Sequence, residues 1–600
     1  MSKIGGRHVF AQYDPIERRQ DSLLLVNCRK SALPSRSRCQ QTVLYLGEIN
    51  DSQREQWIRA IEVFDEDAGA MDQLKLFAAE RRLLTTAPDR VQVRLKDFEL
   101  HRPRQWGGCW LFSELWKQLQ LDEFWRVRLG CSREGTDWEH VLQTLVCYRL
   151  LDPGSEWRLH RVWFEQSAMG DLLAEDFSIV AKDTLYRCLD SLLEYKAELF
   201  EFLYQRWAAL FGAKFDVLLY DLTSTYFESD PPFPEGDKRR FGYSRDKRSD
   251  CVQVVIALII TPEGLPLTYE VLSGNTADKT TLRDFLKKIE SQYGKADRIW
   301  LMDRGVPTEE VLKEMRTSDP PIHYLVGTPK GRLTKLEAEL LPLEWQRAKD
   351  GVDVKLLPRE GELYVLARSN DRVAKERTMR RRQLKKLWAR LKELQQMAPA
   401  RDTLLLKLGA AKSQYPSGWR LVKIEVSQQG ELSFDLRKDK LREIRQREGR
   451  YLLRSNLGSE NPAQLWQLYV LLTQIEEAFK NLKGDLAVRP IFHQLQKRIE
   501  AHIFIAFLAF CLHATLRHKL RLRAPGLTPR SALEQLSAIQ MLDVHFPTTD
   551  GRWLIFSRYT SPNKVQKLLI GQLGLELPAQ SPPRITSRRS LEPLSSQTGL

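Results

Sequence analysis

This 600-residue chain has eight cysteines and not one Cys-x-x-Cys pair. Cys28, Cys39, Cys109, Cys131, Cys147, Cys188, Cys251 and Cys511 are scattered along it. That excludes a zinc ribbon and a disulfide framework, and fits the reduced, structural thiols of a cytoplasmic protein. The ten histidines show no metal-ligand spacing. A Gly-rich phosphate loop, a Ser triad and a catalytic Cys setting are all missing, which removes the commonest nucleotide-binding and nucleophilic enzymes. The longest apolar run, Ile503–Leu512, is too short to span a bilayer. Met1–Arg7 carries no apolar signal-peptide core, so no membrane partner is expected.

Negative charge is also short. Lys and Arg number 93 against 78 Asp and Glu, a net charge of +15 with pI near 9.3. This excess favours a polyanionic partner, nucleic acid first, and a nucleoid-associated place in the cytoplasm. The length calls for several domains.

What is present centres on Val217-Leu218-Leu219-Tyr220-Asp221. An apolar run of this kind reads as a buried strand. Asp is depleted in strands, and its buried charge needs a partner, a metal cation or a turn. Thr223–Phe227 continues in strand-forming residues. Cys251–Ile260 is apolar on both faces and reads as a central strand. Pro262-Glu263-Gly264 turns the chain into Leu265–Leu272. Asp278 stands where an N-cap belongs, ahead of a helix over Thr281–Tyr293. Arg298–Met302 is a further strand, ending in Asp303. An acid thus closes each of two strands, and ligands gather at the carboxyl ends of strands in open mixed sheets.

A third acid lies on a helix that returns at Pro462 and is expected to persist to about Leu522. Its spacing sets Tyr469, Glu476, Lys480 and Lys483 on one face. A plain intrahelical Glu–Lys pair is the alternative for Glu476. Two Asp and one Glu suit a pair of hard divalent cations, and two such ions serve phosphodiester displacement. His493 and His502, nine residues apart, are assigned to packing or DNA contact. Lys238, Arg239, Arg240, Arg245, Lys247 and Arg248 crowd the loop between the first two strands and are candidates for the DNA path. The helix expected over Asp371–Met397 carries ten Lys or Arg on and around a Leu384, Leu387, Trp388, Leu391, Leu394 stripe. So one-sided a charge favours a phosphate-facing helix.

The order Asp, Asp, Glu, with Glu476 lying 173 positions after Asp303, resembles bacterial insertion-sequence transposases with a ribonuclease-H-like core. Tyr469-x2-Leu472-x3-Glu476-x6-Lys483 matches three of the four positions of the Tyr-x2-Arg-x3-Glu-x6-Lys pattern of one branch. Leu472 replaces its arginine. Asp221-Leu222-Thr223-Ser224-Thr225-Tyr226-Phe227, Gly242-Tyr243-Ser244-Arg245-Asp246-Lys247-Arg248, Asp303-Arg304-Gly305 and Arg489-Pro490-Ile491 look like the same branch. The resemblance spans roughly 140–520.

It implies an α/β fold, a ribonuclease-H-like mixed sheet with flanking helices, interrupted by a β-rich insertion and preceded by a helical domain. It implies Asp221, Asp303 and Glu476 as ligands of two Mg2+ ions, for which Mn2+ can substitute. Tyr469 and Lys483 would contact the transposon end. Double-stranded DNA, a homodimer in the DNA complex, and cut-and-paste transfer with a hairpin at the excised end are implied as well. The expected domains are an N-terminal region over 1–100 that is a possible DNA-contacting module, with helix over 52–85, and a helical domain over 101–212. A catalytic core over 213–320 and 461–525 is split by an insertion over 321–460. A helical region over 526–577 and a disordered tail over 578–600 complete the chain. A catalytically silent DNA-binding protein or repressor, and a non-specific nuclease of the same core, remain as alternatives.

Overall fold

The apolar run at Val217 opens an interior strand of a nine-stranded sheet. The computed structural model describes residues 92–586, apart from 131–134, 247, 295–296, 304, 329, 459–460 and 582. Before them it describes the strands Leu23–Ala32, Arg38–Ile49, Glu62–Asp65 and Ala70–Gln73. The first two form an antiparallel hairpin. The last two pair with each other inside the stretch expected to be helical, where Val63, Phe64 and Met71 supply short strand-like runs. The remainder of the proposed N-terminal module up to residue 91, Lys247, and residues 587–600 lie outside the described residues. The chain divides into two compact units, 1–196 with 482–600, and 197–481.

In the second unit, β1 (Val217–Phe227), β2 (Val252–Ile260) and β3 (Pro266–Ser273) form an antiparallel meander. Every residue of β2 is buried, as its two-faced apolar pattern requires. α1 (Asp278–Tyr293) follows; Asp278 is its first helical residue, and Ala277 holds the N-cap position expected for it. β4 (Ile299–Met302) pairs parallel with β1 on the side away from β2. α2 (Glu309–Thr317), capped by the Thr308 hydroxyl, leads to β5 (His323–Gly327), parallel to β4. The order β3-β2-β1-β4-β5 is that of the ribonuclease-H-like sheet.

The sheet does not stop there. β6 (Gln346–Lys349), β7 (Val352–Arg359), β8 (Glu362–Ser369) and β9 (Arg450–Ser455) extend it in the order β5-β9-β8-β7-β6, all antiparallel. The insertion expected over 321–460 is therefore mostly continuous with the core sheet. Arg454 of β9 fixes this extension: its guanidinium donates to Glu362 of β8 at 2.7 Å and to both oxygens of Glu309 in α2 at 2.7 Å. Only the chain between β8 and β9 builds its own core. There Leu387, Leu391 and Leu394 of α3 (Asn370–Met397) pack with Leu404, Leu408, Val422 and Leu432.

The helix expected from Pro462 to Leu522 is three helices: α4 (Pro462–Val470), α5 (Leu472–Lys483) and α6 (Gln496–Arg523). α6 is long and apolar enough to cross a bilayer, but 94% of its apolar window is buried. It forms the centre of the first unit with the helices Gly107–Gln118, Trp138–Leu151 and Lys182–Ser191, although it falls within the 461–525 half of the expected core. Conversely, Lys196–Phe211 belongs mostly to the second unit, where Phe200 packs edge-on to Tyr269 and Tyr204 against Tyr293. The region expected to be helical over 526–577 contains the strands Gln540–Pro547 and Trp553–Tyr559. They form a four-stranded sheet with Glu99–Gln105 and with Arg584–Thr586, a strand inside the expected disordered tail. Alternating burial along Gln540–Pro547 gives that strand one core face.

Candidate active site

β1 and β4 run in register with Tyr220 opposite Met302. Asp221 and Asp303 are each the next residue along. Their backbones leave the parallel pairing at the same level, about 4.8 Å apart. Asp221 does not end its strand, since β1 runs on and pairs Asp221 with Leu258 of β2. It is β4 that ends, at Met302, which opens the sheet beside Asp221. Asp221 is half-buried and Asp303 exposed, in contrast to the buried Leu218–Tyr220 and Trp300–Met302 before them. The Tyr220 hydroxyl donates to Thr281 of α1 at 2.7 Å and pins the preceding turn of chain.

The third carboxylate arrives from α5. Ile475, Ala478 and Phe479 face inward, while Glu476, Glu477 and Lys480 are exposed. Lys483 ends the helix. Because α4 and α5 are separated at Leu471, seven-residue spacing alone does not set Tyr469 over Glu476. The electrostatics of Tyr469 provide the link: burial raises its phenol well above the ordinary range, and the charges of Asp303 and Glu476 add to the rise. One side chain thus senses both acids. Its ring stands edge-on to Tyr451 at 5.2 Å.

Arg372, from the first turn of α3, opposes that rise. Its guanidinium lies 3.8 Å from the Tyr451 ring centre and donates to Glu376 at 2.8 Å. No local pattern points to it, because Arg372 and Tyr469 lie 97 positions apart.

Three carboxylates are the hard oxygen donors that Mg2+ takes. Among the described residues their oxygens do not all lie within 4.8 Å of one another. A cage for one ion would need that; two ions with shared and separate carboxylates and several waters do not. The chemistry of the donor set, three carboxylates and no soft ligand, fits hard divalent ions.

The basic loop between β1 and β2 divides into two kinds of residue. Arg239 is 2% exposed and buried against Asp237, which accepts from its guanidinium at 2.7 Å. Phe233 covers it at 4.0 Å. Arg239 is thus a fold residue and not an open DNA contact, a distinction that composition does not carry. Arg248 is shared among Glu228, Asp250 and the Tyr226 ring. Lys238 and Arg245 are half-buried, and Arg240 is exposed. Two residues were missed: Phe241 and Tyr243 are 53% and 85% exposed. Their segment is built firmly. Arg240 pairs with Gln253 through two backbone hydrogen bonds, and Gln253 Nε2 donates to the carbonyls of Tyr243 and Gly274. A Cβ on Gly242 would lie 2.1 Å from the Gly274 oxygen, so only glycine fits there.

A family model described as "Transposase DDE domain" matches residues 213–512. No curated protein matches the chain. Among solved structures, the cryo-EM structure of a piggyBac transposase synaptic complex with hairpin DNA matches at a TM-score of 0.29 and 10% identity. That match covers 75% of this chain and 88% of the other, and is too slight to carry an argument.

Proposed function

This chain belongs to the transposase DDE-domain family, and on that premise we propose that it is a DNA transposase cutting and joining the ends of a bacterial insertion sequence by a cut-and-paste route. The observation that supports the reading is the level exit of Asp221 and Asp303 from paired strands within the domain that the family model matches. Asp221, Asp303 and Glu476 would hold two Mg2+ ions, with Mn2+ an acceptable substitute. Such ions, when bound, activate an attacking oxygen and stabilise a leaving one in phosphodiester displacement.

The chain's own residues position the DNA. Lys480 lies one helical turn beyond Glu476 on the exposed face, and Lys483 one further, so their cations flank the carboxylate with phosphate-binding charge. Tyr469 presents a half-buried phenol beside the acids, suited to a backbone contact at the transposon end. On α3, Lys375, Arg381, Arg382, Lys385, Lys386 and Lys392 are exposed. They offer a longer phosphate track, whose contribution falls with salt. Double-stranded DNA is the partner in this reading, bound by a homodimer in the nucleoid.

The test is a Mg2+-dependent nicking assay on a supercoiled plasmid carrying the element's own ends. Asp221→Asn, Asp303→Asn and Glu476→Gln are each expected to abolish cleavage while leaving end-binding intact. Normal cleavage by any one of them removes that residue from the site. Leu472 favours a second reading, a silent end-binding copy. That copy would retain binding in the same assay with the wild-type chain cutting neither strand. Cutting without regard to terminal sequence would instead point to a general nuclease.

A further inference from the structure

The helical unit buries a second set of ligand-type side chains. Glu156 opens a short helix after Pro153-Gly154, His493 lies just before α6, and His502 stands in its second turn. They are 7%, 7% and 2% exposed. Among the described residues, this is the set in which one donor atom from each of three ligating side chains lies within 4.8 Å of the others.

The distances are those of a metal polyhedron. His493 Nε2 is 3.2 Å and His502 Nδ1 3.5 Å from Glu156 Oε1. A tetrahedral ion with bonds of about 2.0–2.1 Å sets neighbouring donors about 3.3–3.4 Å apart. Two edges of such a tetrahedron already have that length. Both ring nitrogens of His502 are buried without a hydrogen bond of normal geometry, Nδ1 facing Glu156 at 3.5 Å. A buried polar atom left so costs about 1–3 kcal/mol, and a ligand on Nδ1 removes that cost there. Arg149 donates to the carbonyls of Ala487 and Gly154 at 3.0 and 3.1 Å. Its charge is thus anchored on backbone carbonyls.

We propose that Glu156, His493 and His502 bind one Zn2+ ion that ties the Glu156 turn, the segment before α6 and α6 itself together. Two imidazoles and one carboxylate suit Zn2+ better than Mg2+, which prefers oxygen alone. The fourth position would take water. The site stands whether or not the chain cuts DNA.

The experiment uses full-length protein purified without chelator and dialysed. Elemental analysis is expected to find about one zinc per chain, falling at least tenfold in His502→Ala and in Glu156→Gln. The double variant Asp221→Asn, Asp303→Asn should keep its zinc. Reconstitution with Co2+ should give the visible bands of a tetrahedral ion without thiolate charge transfer. Wild-type protein that takes up neither Zn2+ nor Co2+ overturns the proposal, as does zinc retained in folded His502→Ala. Should both variants fail to fold, X-ray absorption of the wild-type zinc decides. Two imidazoles in the first shell support the site, and sulfur or a shell without imidazole overturns it.

Discussion

Asp221 stands level with Asp303, each one residue past the paired Tyr220 and Met302. Two like charges about 5 Å apart repel by about 1–3 kcal/mol at effective dielectric constants between water and a protein surface. Exposure of Asp303 places the pair at the lower end of that range. Removing one charge should therefore stabilise the metal-free protein. Asp303→Asn is expected to melt about 2–4 °C higher than wild type in EDTA. Adding Mg2+ should raise the melting point of wild type and leave the variant nearly unchanged. Thermal melts with and without Mg2+ check both. Equal Mg2+ gains in the two proteins would sink the prediction.

Arg372 gives a second test, because it reaches the acids only through tyrosine. Its guanidinium over Tyr451, with Tyr451 against Tyr469, places a cation behind the ring that senses Asp303 and Glu476. Arg372→Ala loses the cation–π contact and the half-exposed pair with Glu376, about 1–2 kcal/mol together. Nicking should fall about tenfold through a displaced Tyr469, a loss of about 1.4 kcal/mol in the barrier. Arg372→Lys should not restore it, since lysine has no planar guanidinium to stack. Melting curves beside nicking rates separate a fold effect from a site effect. Full rescue by lysine would show that charge alone matters.

These residues also mark how far the sequence was legible. Val217–Tyr220 and Cys251–Ile260 could be read as strands because both are apolar without interruption. The two aspartates followed from where the Val217–Tyr220 and Arg298–Met302 runs end. β6 and β7 escaped because their residues are mixed in polarity and partly exposed, although each pairs with the strand next along the chain. No Pro or Gly marks Leu471, so the break between α4 and α5 gave no local signal. Arg239 and Arg240 are adjacent and identical in type, yet one is buried on Asp237 and the other is exposed. Composition cannot tell them apart. Glu156 and His493 are 337 residues apart, so no spacing rule could have joined them.

Phe241 and Tyr243 should bind unpaired bases. Exposed aromatics on a firmly held, basic loop are stacking platforms for single strands, each worth about 1–3 kcal/mol by alanine substitution. Tyr243→Ala should weaken binding of a single-stranded or hairpin end about 5–100-fold, and intact duplex much less. Stability should be unchanged, because the ring is 85% exposed. Fluorescence anisotropy with matched single-stranded and duplex ends reads the difference. An equal loss on both would assign Tyr243 to the phosphate backbone.

Glu139 makes stability fall as pH rises. Burial, against His140 and the Trp116 N–H, which donates at 2.8 Å, raises its carboxyl to about 7. The unfolded group titrates near 4.5. Between these values the folded state holds the extra proton, so folding loses stability as pH rises from about 4.5 to 7, and the loss is complete above that. The shift corresponds to roughly 3 kcal/mol as an upper bound. Glu139→Gln keeps an acceptor for Trp116 and removes the charge. It should be more stable than wild type at pH 8 by about 1–3 kcal/mol and nearly equal to it at pH 5. Chemical denaturation at the two pH values measures this. A variant equally destabilised at both would mean that Glu139 is held ionised by His140 and Arg126, and that its charge, not its proton, fits the core.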